Sequence, residues 1–380
     1  MKNKKSNLSI IFLLSHQPNP RFVKQINFLS QKNNVTLVQF YRNIMNDLAS
    51  DLDSNIDGIM SLETLPDSLS SYHHYIQRIF KYILSIFKLR KIMSKRDTDI
   101  VIVNNIDMFF LLKISMIFKS QKYKNVIEIS DLLSAHEANN LKSNFFLFVE
   151  KKLFQKIDKL IVTSPKFYTE HYCKIFNHEH FILENKPLKS MLPKRLIKKD
   201  NGKKIIGIVG LLLQLDVYEY LFDTLKNNND YEVHVYGMGK YSDEVESYSN
   251  KFENIKYFGP YKFFKDASTI YSKIDILYMP YSNNNKSLNN KLALPNKLYE
   301  AMYYKVPIIT SENTYLGSRV KDMNIGVQVD YTNKILLLNS IETIFKDYSM
   351  YTKNLESLNS ELYCADKDYV ALEKYLKREN

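Results

Sequence analysis

Apolar residues are distributed along this chain in short runs separated by longer stretches of helical spacing. Residues 10–14, 35–40, 100–103, 126–129 and 159–163 form short, mainly apolar segments rich in β-branched side chains, as in buried strands. This alternation predicts a parallel α/β sheet. A short strand at 181–183 precedes a pause in the polar stretch 188–204, which contains Pro193 and a lysine cluster. The rhythm then resumes at 205–209, 231–236, 255–258, 276–279 and 306–310. Two Rossmann-like domains are therefore predicted, 1–187 and 205–335, with 188–204 as linker. The helical segment 336–380 would pack across the domains. Open sheets of this kind bind ligands beyond the carboxyl ends of their strands, so the two domains would face a shared cleft.

One predicted helix has a distinct pattern. Ile76, Ile79, Phe80, Ile83, Ile86 and Phe87 gather on one face, while Arg78, Lys81, Lys88, Lys91 and Lys95 lie largely outside it. Such a basic amphipathic helix either packs its apolar side on the N-terminal sheet or leans on anionic lipid.

Composition narrows the partners. The 380 residues are 45% hydrophobic and 25% charged, ordinary for a globular protein and too many for one core. The formal charge of +12 attracts phosphates, nucleic acids and anionic lipids alike. No zinc-finger spacing, RNA-recognition signature or basic zipper is present and the lysines are scattered, so nucleic acid is not predicted as a partner. A phosphorylated ligand or a membrane surface fits better. The apolar run near the start, 8–14, is too short to cross a bilayer and no cleavage site follows it. The two cysteines, Cys173 and Cys364, cannot make a disulfide framework. These features predict a cytoplasmic protein, with peripheral contact at the inner face of the plasma membrane.

The most informative stretch is Leu294-Pro295-Asn296-Lys297-Leu298-Tyr299-Glu300-Ala301-Met302, followed by a strand at 306–310. Pro295 suits a helix start, whose open N–H groups and positive dipole end hold a diphosphate. Asn296 shares that start, Lys297 would add a mobile positive charge, and Glu300 could accept hydrogen bonds from ribose hydroxyls. The alternative is a surface helix with a solvated Lys–Glu pair at i, i+3. Gly237-Met238-Gly239 lacks the third glycine of a dinucleotide fingerprint and reads either as a tight turn or as a place near the nucleotide base. Asp131, with His136 and Glu137 nearby, lies where a general base would meet an acceptor hydroxyl. Asp131 could equally cap the next helix, with His136 on the surface. His16, on the loop after the first strand, faces the same cleft. His171, Cys173, His178 and His180 crowd into ten residues without a standard zinc spacing.

The stretch from Pro295 to Met302 with Pro307, the segment 257–261 and the segment 270–281 resemble the family 4 glycosyltransferases and their capsule and O-antigen relatives. Those members carry P-S/N-K-x-x-E-A/Y-M before a short strand, and an aspartate-strand-Pro-Tyr/Ser segment upstream. In the N-terminal half Pro20-Arg21-Phe22, residues 127–132, 150–164 and Glu184-Asn185-Lys186-Pro187 also have counterparts. The resemblance implies the GT-B fold and transfer of a sugar, with retained configuration, from a nucleotide-diphosphate sugar to a glycan or polyprenyl-diphosphate-linked acceptor. It implies surface polysaccharide synthesis without a metal or further cofactor, and Asp51-Leu52-Asp53 is a poor imitation of a metal-binding DxD. On this reading Pro295, Asn296, Lys297, Glu300, Gly210, Gly237 and Tyr281 hold the donor, Asp131 and His136 are catalytic, and His16 and Arg21 lie on the acceptor side.

Departures from the family pattern are specific. Leu211 stands where relatives place an arginine after the glycine, residues 215–217 offer no cation, and Leu292 replaces the first glutamate of an E-x7-E pair. Ser130 replaces a histidine beside the aspartate. Two further readings follow: a GT-B scaffold without turnover that binds partners or membrane, and a sugar-nucleotide epimerase.

Overall fold

The computed structural model of the chain describes residues 7–42, 52, 55–65, 72–119, 122–133, 136, 140–197, 202–282 and 287–378. Asp51, Asp53 and Glu137 lie outside the described residues. Two compact units emerge, one of Met1–Glu184 with Asp368–Asn380, the other of Asn185–Lys367.

The first unit is built on strands β1 (Ser9–Leu14), β2 (Asn34–Tyr41), β3 (Gly58–Thr64), β4 (Ile100–Asn104), β5 (Lys124–Ile129), β6 (Lys159–Val162) and β7 (His180–Ile182). They form one sheet in the order β3-β2-β1-β4-β5-β6-β7, and every pairing is parallel. Ile10 faces Val35 on one side and Ile100 on the other, and the strand around it is buried. That is why its sequence is uninterrupted rather than alternating. Between the strands run helices α1 (Pro20–Ser30), α2 (Tyr72–Lys95), α3 (Asn105–Ser115), α4 (Leu141–Phe154) and α5 (Pro165–Glu170). Pro20 starts α1 at a position whose N–H would be unpaired anyway, and the Asn19 side chain accepts from the N–H groups of Arg21 and Phe22.

The second unit has strands β8 (Lys204–Leu211), β9 (Tyr231–Met238), β10 (Ile255–Tyr257), β11 (Ile276–Tyr278), β12 (Ile308–Ser311) and β13 (Gly326–Val329), in the order β10-β9-β8-β11-β12-β13. Its helices are α6 (Leu215–Leu225), α7 (Ser242–Lys251), α8 (Phe263–Lys273), α9 (Leu288–Leu292), α10 (Asn296–Tyr304), α11 (Tyr315–Asp322), α12 (Lys334–Lys346) and α13 (Tyr348–Ser357). The period of two along β8 divides the core between the faces of the sheet. Ile206 and Ile208 pack with Leu221, Phe222 and Ile341 of α6 and α12, while Ile205 and Val209 pack with Ile270, Leu298 and Met302 of α8 and α10.

The chain finishes with α14 (Asp366–Lys377), whose tyrosines are embedded in the first unit. Leu160 of β6 donates its N–H to the Tyr375 hydroxyl at 3.2 Å, that hydroxyl lies 2.8 Å from the Glu179 carbonyl, and the Tyr369 ring meets Phe28 at 5.3 Å. Among the described residues no helix is long and apolar enough to cross a membrane.

Two strands, β3 and β13, are absent from the reading of the hydrophobic pattern. β3 is a partly exposed edge strand, and β13 buries only its end residues fully. The predicted apolar face of α2 also lies differently from one of the two readings offered above. Ser85, Leu89 and Met93 face inward, while Ile76, Ile79, Phe80, Ile83 and Phe87 stay exposed rather than packing on the sheet.

Candidate active site

In the second sheet, β8 and β11 are neighbours from which the strand order runs in opposite directions, and an open sheet leaves a crevice at such a switch point. The residues singled out in the C-terminal half gather around it. Gly210 and Gly237 stand side by side near the carboxyl ends of β8 and β9, and the Gly237 N–H donates to the Gly259 carbonyl at 2.8 Å. Both have positive φ, 131° and 150°. A Cβ on Gly237 would fall 1.7 Å from the Gly210 carbonyl oxygen, so no side chain fits there without separating the strands. A Cβ on Gly210 would lie 3.4 Å from Cε of Lys297. That is ordinary contact with a flexible side-chain end, so it is the φ of Gly210, rather than space, that favours glycine there.

That helix, α10, begins at Asn296 with Pro295 as its cap residue, and it ends at Lys305, which takes the left-handed conformation at φ 64°. Its first turn carries a compact polar cluster. Glu300 is only 3% exposed. Its carboxylate accepts from Lys297 Nζ at 3.0 and 2.7 Å, from Asn296 Nδ2 at 3.1 Å and from the Tyr271 hydroxyl at 2.9 Å. Lys297 also donates to the Tyr261 hydroxyl at 2.5 Å. Burial works against the Lys297 ammonium, but the Glu300 carboxylate and then Tyr261 outweigh it and hold its pKa above the ordinary lysine value. Burial also raises the Tyr261 and Tyr271 hydroxyls, which stay protonated. Neither tyrosine stood out as a site residue in the sequence. Their positions relative to Glu300, in a loop and on α8, are set by tertiary packing.

The loops after β8 and β11 are joined across the switch point. The Ser282 N–H donates to Gln214 Oε1 and its hydroxyl to Asp216 Oδ2, both at 2.6 Å. Tyr281 is half-buried beside them, and its carbonyl accepts from the Ser311 hydroxyl at 2.6 Å. Leu211, in the place of the family arginine, is 68% exposed.

In the first unit the other candidates follow the carboxyl ends of β1 and β5, Arg21 in the first turn of α1 and the rest on loops. His16 follows β1. Burial lowers its imidazole below the ordinary value, against a raising contact with the Gln17 carbonyl at 2.5 Å. Arg21 is buried, pairs with Glu128 at 3.2 Å and also donates to the Ser130 hydroxyl. Burial raises the Glu128 carboxyl, and Arg21 works against that rise. Asp131 follows directly and is exposed.

His136 is held differently. Its Nδ1 accepts from the Leu133 N–H at 3.0 Å and its Nε2 lies 3.1 Å from both oxygens of Glu150 on α4. His171 approaches the same carboxylate at 3.3 Å. Burial alone would raise the Glu150 carboxyl, but His136 and His171 together bring it below its ordinary value. Among the described residues, His136, Glu150 and His171 form a group with donor atoms within 4.8 Å of one another, the spacing a cation would need. The remaining members of the histidine–cysteine cluster diverge. Cys173 Sγ lies against the Thr169 carbonyl, and His180 stacks on Tyr168 with ring centroids 3.4 Å apart.

Comparison with known proteins bears on the fold. Residues 203–347 match the family of glycosyl transferases group 1. No curated protein sequence matches the chain. Among solved structures, sucrose-phosphate synthase of Thermosynechococcus elongatus superposes with a TM-score of 0.72 at 14% identity, covering 97% of this chain and 98% of that one. HepE of Anabaena, solved in complex with UDP, gives 0.71 at 13% identity over 97% and 99%. The lipopolysaccharide outer core galactosyltransferase WaaB gives 0.63 at 14% over 97% and 98%. At these identities the likeness is one of fold. The chain therefore has the GT-B fold, and residues 203–347 of its second unit are similar to the glycosyl transferases group 1.

Proposed function

We propose that the chain transfers a sugar from a nucleoside diphosphate sugar, held by the second unit, to a hydroxyl of a glycan or lipid-linked acceptor in bacterial surface polysaccharide synthesis. The observation that carries this reading is the cluster at the β8–β11 switch point, where Gly210, Gly237, Lys297 and Glu300 meet at the start of α10 inside the matched region. The open N–H groups of the α10 first turn and the Lys297 ammonium would take the diphosphate and stabilise the charge that develops on it as the sugar leaves. Glu300 would exchange one of its present partners for the ribose hydroxyls. Tyr271 and Asn296 keep its carboxylate oriented for that exchange. In the first unit, Asp131 is the group proposed to meet the acceptor hydroxyl, with His136 positioning the loop through Glu150. Retention of configuration is carried over from the family resemblance, as is the absence of a metal.

HepE was solved with UDP, and a variant of TarM of S. aureus with UDP and α-GlcNAc-glycerol, so UDP is the first nucleotide to test. Thermal unfolding with UDP, GDP, ADP and CDP would show one nucleotide raising the melting point, by the equivalent of about 2.7 kcal/mol at a hundredfold excess over Kd. Glu300→Gln, measured against its own ligand-free baseline, would lose most of that rise. If no nucleoside diphosphate stabilises the wild-type chain, the donor reading fails.

A scaffold without turnover remains the second reading, favoured by the exposed Leu211 where a phosphate-binding arginine would stand. This scaffold would bind partners or membrane and show neither sugar transfer nor donor hydrolysis, so turnover on nucleoside diphosphate sugars decides between the two.

A further inference from the structure

Helix α2 presents two faces with opposite fates. Ser85, Leu89 and Met93 are buried, and the Tyr82 ring meets Phe40 of β2 at 4.9 Å. Lys81 and Lys88 fasten the same helix to β3, donating to the Thr64 carbonyl and, at 2.8 Å, to the Leu62 carbonyl. The helix is thus firmly docked without using its most apolar side. That side carries Ile76, Ile79, Phe80, Ile83, Leu84 and Phe87, each 37–67% exposed. Their spacing of three and four residues makes one continuous stripe. Continued toward the carboxyl end, the stripe turns cationic, with Arg90, Lys91 and Lys95 at the next positions.

A second exposed apolar row lies on α4. Leu141, Phe145 and Phe148 are 59–88% exposed, with Lys142, Lys151 and Lys152 exposed alongside. Helix α3 packs against both α2 and α4. The charge is one-sided. The 24 residues of α2 include no Asp or Glu, and the sole acidic residue of α4, Glu150, is buried with its imidazoles.

Monomeric soluble surfaces rarely leave such an apolar stripe uncovered. A protein partner would ordinarily meet mixed charge at the rim, whereas here the two helices themselves expose cations and no carboxylate. Beside α2 the acidic groups are few, Glu63 paired with Lys88 and Asp107 near Arg78, so an apolar stripe with a mostly basic border fits the interface of an anionic bilayer. There the rings enter the acyl boundary while the ammonium groups stay among the phosphates.

We propose that the α2 face of the first unit docks the protein on anionic phospholipid, with Phe80 and Phe87 inserted and Lys91 and Lys95 on the headgroups. This inference is independent of the donor site and would stand if that reading failed.

The test uses the full chain and flotation with lipid vesicles. Vesicles containing phosphatidylglycerol should retain the protein, pure phosphatidylcholine should do so at least about tenfold less, and added salt should release it. The double variant Phe80→Ser/Phe87→Ser should lower partitioning about tenfold or more. Lys91→Glu/Lys95→Glu should abolish the preference for phosphatidylglycerol, each lost cation accounting for roughly a fivefold change. All four positions are on the exposed side, so melting points near wild type would show that both variants fold. The proposal falls if phosphatidylglycerol vesicles do not bind the protein, or if both variants bind as the wild type does. It also falls if light scattering shows a dimer that the phenylalanine variant dissociates while vesicle binding is unchanged, since the face would then join two copies of this chain.

Discussion

At the scale of single residues, Glu150 shows how two imidazoles can hold one buried carboxylate. Its pKa lies below the ordinary glutamate value in the folded state because His136 and His171 outweigh the effect of burial. The stability linked to this shift is therefore fully present above the unfolded-state value of 4.5 and is lost as pH falls through the lower folded-state value. Glu150→Gln should destabilise the protein by about 3 kcal/mol at neutral pH. In urea unfolding followed from pH 6 down to pH 3, its difference from wild type should narrow with acidification; a difference independent of pH would contradict the assignment. The candidate site was only partly legible at this scale. Lys297 and Glu300 are one helical turn apart and could be paired on spacing alone. Glu150 lies fourteen positions from His136, and Tyr271 lies twenty-nine from Glu300, distances that only folding closes.

Among the elements, the strands buried on both faces were readable because apolar residues dominate them despite single polar positions such as Gln39 and Glu128, while β3 escaped because an edge strand mixes polar and apolar positions. Helix α2 marks the limit of periodicity. Its spacing reveals an apolar face, but whether that face meets the sheet or solvent depends on what the sheet offers. Here Ser85 and Leu89 fill the available contact. The β8–β9 pair depends on its glycines in a way that can be tested. In Gly237→Ala the methyl group would collide with the Gly210 carbonyl, and its φ of 150° is one an alanine rarely adopts. A loss of roughly 2–4 kcal/mol is expected, from clash and backbone strain together. Strand separation next to Lys297 should also remove the nucleotide-induced rise in melting point. An unperturbed Gly237→Ala protein would show that the two strand ends are not held this closely.

For the molecule as a whole, the long stretch 185–367 forms one unit, and the chain then returns to complete the other. The Tyr375 hydroxyl joins α14 to Leu160 of β6 and to Glu179. Tyr375→Phe should weaken the first unit by about 1–2 kcal/mol and leave the second unchanged. Hydrogen exchange resolves this, since amides of β6 should exchange faster while those of β8 and β9 keep their protection. Equal acceleration in both units would show instead that they unfold as one.

That return has a consequence for synthesis. Leu160 and its partner Tyr375 are 215 positions apart, so on the ribosome the first sheet waits for its last helix. At roughly 5–20 residues per second the wait is about 10–40 s, ample time for the middle of the chain to fold first. The unit that begins the polypeptide is thus the last to be finished: its β6 is paired early by β5 and β7, but the surface that Tyr375 covers stays bare until the final helix is made.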